Sequence, residues 1–149
     1  MFQPPQSAPV PPVHPVSVTL VVGASAAARE AAIAAAIRPV ATAVSIADGS
    51  IALILEGFPS GVSAQAAALD PQHNPALAQA ARIAPGCLCC IGNLTLKVTL
   101  NRILRRQQQS LQRIYISLAS ASHIAQLRMF LSSPPYDRLL RLTDDRSAD

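Results

Sequence analysis

Aromatic side chains make up only 3% of this 149-residue chain, and tryptophan is absent. A core without them must be filled by aliphatic and small residues, which predicts a thin interior of modest stability. Lysine is scarcer still, with Lys97 alone beside eleven arginines. Against eight acids the balance is +4, too mild to call for a nucleic-acid partner. Arg102, Arg105, Arg106 and Arg113 cluster, and the cluster reads as a solvated helix face. Long apolar runs are also missing. The best candidate, Val16 to Val22, is far short of the roughly 20 residues of a membrane span, so no membrane partner is expected. It follows prolines rather than a basic leader, which excludes a signal-peptide pattern. Cysteines number three, all within Cys87 to Cys90. An odd, crowded set is not a secreted disulfide framework, and a reducing cytoplasm is the expected compartment.

Proline, by contrast, is plentiful. Six of the thirteen prolines fall in residues 1–15, a segment that cannot form enough backbone hydrogen bonds to fold and reads as a disordered or polyproline arm. Its Pro-x-x-Pro spacings between Pro5 and Pro12 could be offered to a proline-reading partner, but an inert tail is the favoured reading. Residues 16–143 then alternate between two kinds of pattern. Val16 to Val22, Ile51 to Leu55, Gln79 to Ile83, Leu111 to Leu118 and Leu139 to Leu142 read as strands. Ala26 to Ile37, capped by Ser25, and the stretch through Leu96, Leu100, Ile103 and Leu104 read as helices. Ile124, Leu127 and Leu131 mark a further helix, closed by Pro134-Pro135, and Ser63 to Leu69 a short one. The alternation predicts a single α/β domain of three layers, a mostly parallel sheet with helices on both faces, followed by a polar tail at 144–149. Ligands of such folds gather at the carboxyl ends of the strands.

Gly86-Cys87-Leu88-Cys89-Cys90 falls at one such end. Three thiols on a tight loop can serve one thiophilic ion, and zinc or cuprous sites use such donors. A disulfide between the adjacent Cys89 and Cys90 would be strained. Cys87 and Cys90 also form a C-x-x-C pair, the redox alternative, but it is far from the first strand-to-helix unit where thioredoxin-like proteins carry theirs. A closed zinc site needs a fourth ligand, for which Glu56, His73 and His123 are the candidates.

The first strand-to-helix unit has a different signature. Gly23-Ala-Ser-Ala-Ala-Ala-Arg-Glu30 fills the eight positions of a phosphate-binding G-x-x-x-x-G-K-[ST] loop. Gly23 fits. Ala28 adds a Cβ where backbone must approach phosphate, Arg29 keeps the lysine's charge but not its shape, and Glu30 replaces a magnesium-binding hydroxyl with a carboxylate. Gly23, Ser25 and Arg29 are the residues that could still hold a nucleotide, and GTP is not expected to bind.

Taken in order, these features resemble the CobW-type P-loop GTPases, a family of metallochaperones and cofactor-assembly proteins related to UreG and HypB. The resemblance spans Val16 to Asp144, with the cysteine run as its specific part. It implies a reduced P-loop NTPase-like fold and a metal site at Cys87, Cys89 and Cys90. Leu55-Glu56-Gly57-Phe58 loosely echoes the family's Asn-Glu-Phe-Gly turn. The stretch Ser117-Leu-Ala-Ser120 departs from its Glu-Thr-Ser/Thr-Gly run, and no Asn-Lys-x-Asp guanine-reading motif occurs. The expected protein is therefore a zinc-binding accessory or sensing module without hydrolysis, working with a client metalloprotein or as a homodimer. The alternatives are a residual GTP-dependent metallochaperone and an interaction module with redox-active thiols.

Overall fold

The computed structural model describes residues 14–38, 48–58, 61, 63–84, 94–106 and 110–148. Six strands occupy Val16–Val22 (β1), Ile51–Glu56 (β2), Leu77–Ile83 (β3), Arg113–Leu118 (β4), Leu140–Leu142 (β5) and Arg146–Ser147 (β6). Among the described residues four α-helices lie between them, at Ala26–Ile37 (α1), Ser63–Ala68 (α2), Leu94–Arg106 (α3) and Ile124–Leu131 (α4). The strands join in one sheet of order β3-β2-β4-β1-β5, with β6 beside the far half of β1. Every pairing is parallel. This is the three-layer α/β arrangement that the alternating pattern predicts.

Period-two alternation splits the apolar residues between two cores. On one face Val18, Leu20, Ala52, Ile54, Ile114 and Ile116 meet Leu96, Leu100 and Ile103 of α3 and Leu127 and Leu131 of α4. On the other Val21, Ile51, Leu53, Leu55 and Tyr115 meet Ile33, Ala34 and Ile37 of α1. All six residues of β2 are buried, as befits a strand with neighbours on both sides and helices above and below.

Three details depart from the sequence reading. Thr99, a polar residue outside the Leu96, Leu100, Ile103 and Leu104 stripe that marks its helix in the sequence, is nonetheless buried, and its hydroxyl donates to the Thr95 carbonyl at 2.8 Å. That bond satisfies the one polar group that would oppose burial. Arg146–Ser147, expected in a polar tail, belong to the sheet. The Ala148 amide donates to the Val22 carbonyl at 2.8 Å, and Ala148 is buried. The last edge strand is thus interrupted: β5 and β6 follow β1 on either side of a break at Thr143 to Asp145, where the Thr143 hydroxyl meets that of Thr19 at 2.7 Å.

The sheet order also places the crevice. From β1 the chain crosses toward β2 and β3, then returns through β4 between β1 and β2, and leaves for β5 on the opposite side. Connections therefore part on either side of β1 and β4, and a ligand of such a sheet would enter at their carboxyl ends.

Candidate functional site at the carboxyl edge of the sheet

The turn from β1 into α1 stands at that point. Ser25 is extended, with φ −94° and ψ 123°, and its hydroxyl oxygen accepts from the Ala28 amide at 3.2 Å, capping the helix as its sequence predicts. The Gly23 amide donates to the Leu118 carbonyl at 3.2 Å, tying the turn to the end of β4.

Arg29 defines the crevice. Only 2% of it is exposed, although a buried arginine is rare unless its donors are matched. Its Nε donates to the Ser117 hydroxyl oxygen at 2.7 Å, Nη2 to the Glu56 carbonyl at 2.8 Å, and Nη1 to the Gly23 carbonyl. One guanidinium thus joins the ends of β1, β2 and β4. Burial lowers its pKa from the usual arginine value, while Glu56 and Glu30 oppose that shift. An arginine in such company stays charged.

Glu30, the next residue, is also buried. Its Oε1 accepts from Arg82 Nη2 near the end of β3, while Oε2 has no hydrogen-bond partner among the described residues. Glu56 ends β2, and its Oε1 accepts from the Ala119 amide at 2.8 Å just beyond β4. After it, Gly57 turns the chain at φ +105°, a conformation that side chains disfavour.

Sequence reasoning weighed Gly23, Ser25 and Arg29 as ligands of a phosphate, and the structure brings all three to one turn. Arg29, however, faces inward to the protein's own carbonyls. The missed features are its triple anchorage and the Glu30–Arg82 pair. A signal was available: Arg29, Glu30, Ile33, Ala34 and Ile37 are the buried residues of α1, and they follow the i, i+4, i+8 spacing of a buried helix stripe. The match to a phosphate-binding loop reads Arg29 and Glu30 as facing a ligand rather than as members of that stripe.

Cys87, Cys89 and Cys90 lie outside the described residues, within the connection from β3 to α3. That connection departs from Ile83, which is in register with Glu56, and the Gly57 amide donates to the Ile83 carbonyl at 2.9 Å. Glu56 therefore stands at the strand end from which the cysteine connection leaves. His123 is exposed at the head of α4, four residues beyond Ala119, and so shares the same edge of the sheet. His73 does not. It precedes β3, at the amino end, where its Nδ1 lies 3.0 Å from Asp70 Oδ2. The length of a seven-residue strand, about 20 Å, separates it from the departure point of the cysteine connection. Among the described residues no three His, Cys, Asp or Glu side chains gather as a metal group, and no helix is long and apolar enough to cross a membrane.

Comparison with family models, with curated proteins and with solved structures gives no match.

Proposed function

We propose that this chain is a metal-binding accessory protein, a reduced relative of the CobW-type GTPases that holds zinc or another thiophilic ion through Cys87, Cys89 and Cys90 in a reducing cytoplasm. The donor set fits the ion. Three thiols within four residues can share one borderline or soft metal, with Glu56 or His123 closing the tetrahedron. Metal would draw the thiols into their deprotonated form and fix the loop that bears them.

The observation that carries the loss of nucleotide chemistry is Arg29. Its guanidinium donates to Gly23, Glu56 and Ser117 in the crevice where phosphate oxygens would need donors. A nucleotide would have to displace these bonds and approach the Glu30 carboxylate, which repels it. Metal binding without hydrolysis is therefore the favoured reading.

Elemental analysis of protein purified without an affinity metal column tests it. About one thiophilic ion per chain is expected, lost when Cys87, Cys89 and Cys90 are all changed to alanine. Protein free of metal after growth in zinc-replete medium, with thiols that label equally with and without a chelator, would overturn the reading in favour of a redox or structural cysteine loop. Calorimetry with GTP and magnesium should show no saturation up to about 1 mM, and binding in the micromolar range would restore the GTP-dependent alternative.

A further inference from the structure

The charge of this protein is unevenly placed. All eight acids lie at or before Asp70 or at or after Asp137, so the 66 intervening residues carry seven of the twelve cations and no acid. Arg82 and Arg128 in that stretch pair with Glu30 and Asp145. The cations of α3 do not: Lys97, Arg102, Arg105 and Arg106 have no acidic partner among the described residues, and the helix contains no acid.

Three of them converge on a groove. Val98, Asn101, Arg102, Arg105 and Arg106 line an open depression of about 430 Å³. Asn101 among them is fixed in place, because the Tyr136 hydroxyl, on a buried ring, donates to its Oδ1 at 2.8 Å. Val98 at one end is 50% exposed. The lining therefore combines an apolar foothold with a row of guanidinium forks.

We infer that this groove on α3 docks an acidic peptide segment of another protein, one bearing an apolar residue beside its carboxylates. Guanidinium forks bind carboxylates in pairs, and Val98 offers a place for an aliphatic side chain. Val98 to Arg106 spans about 12 Å of helix, the length of three or four extended residues. A nucleic acid fits less well, since α3 carries no aromatic side chain for a base to stack on. The helix begins four residues after Cys90 in the sequence. Only the description of that partner as a metal client rests on the proposed function; the docking itself does not.

The test is fluorescence anisotropy on the full chain, with a fluorescein-labelled peptide of alternating aspartate and glutamate around one leucine. Its amide counterpart, with asparagine and glutamine, is the comparison. Binding at about 50 mM salt should favour the acidic peptide. The R102Q/R105Q/R106Q variant should weaken it at least about tenfold, and R113Q/R138Q/R141Q, which removes equal charge elsewhere, by less than about threefold. V98S should weaken the leucine peptide but not one with serine in its place. Equal losses in the two triple variants would overturn the inference, as would absent binding or displacement of the peptide by a short oligothymidylate. Metal content measured on the same samples separates the two ideas: a metal-free protein that still prefers the acidic peptide refutes the metal reading alone, and a metal-loaded protein without that preference refutes the groove alone.

Discussion

Arg29 ties three strand ends together with one side chain. Replacing it with alanine leaves acceptors on Gly23, Glu56 and Ser117 without their donor and should cost about 3–5 kcal/mol in urea unfolding. Lysine keeps the charge but cannot reach three acceptors in a plane, so R29K should recover only about half of that loss. Tyr136 carries the clearest pH dependence. It is 1% exposed, and burial raises its pKa above the ordinary phenol value. A pKa raised by folding adds stability that is complete below the unfolded value, about 10, and is lost as pH climbs through the folded one. Y136F lacks that dependence. At neutral pH it should be less stable by about 1 kcal/mol, for the lost bond to Asn101. Above pH 10 the gap should close, which denaturation across pH 8–11 would show.

At the level of elements, α1 depends on its first turn. Its body is alanine-rich, with no acid in its first turn and no base in its last to oppose the helix dipole, so the Ser25 cap is its main terminal support, and S25A should lower stability by about 1 kcal/mol. Thermal melts would read that. The same helix shows what sequence could tell. Its span was legible in full, because the alanine run and the Ser25 cap each act locally. The strands of the centre were legible for the same reason, being β-branched runs bounded by turns. The pieces that escaped depend on distant partners. Leu77 joins β3 because Ile51 stands opposite, with Ala78 the extra residue of a register shift before the Ala52–Gln79 pair, and Arg146–Ser147 become β6 because Val21 and Val22 offer an edge. Local propensity contains neither fact. Arg29 and Glu30 belong to this class as well, since their burial depends on Ser117, Glu56 and Arg82, which are remote in sequence. Of the site, the glycine turn and the cap were readable, and Glu56 was readable as a strand end. That His73 falls at the opposite end of the sheet from Glu56 could be known only once β3 had a direction.

For the whole molecule, two aliphatic cores share one sheet, and the middle strands carry both. L20A, at a fully buried position of β1, should cost about 2–5 kcal/mol. Phe58→Ser, 76% exposed, should stay within about 0.5 kcal/mol; chemical unfolding of the pair would measure how far stability resides in the sheet rather than at its rim. The interruption between β5 and β6 has a further consequence at this scale. An edge strand is a template on which a second chain can grow, and a ladder broken after three residues, with Asp144 and Asp145 at the gap, offers no continuous row of backbone groups. The opposite border is β3, seven residues long and, past one register shift at Ala78, in continuous register with β2 from Gln79 to Ile83. If copies of this protein ever associate strand to strand, the direction of that growth is already set: it begins at β3 and stops at β5.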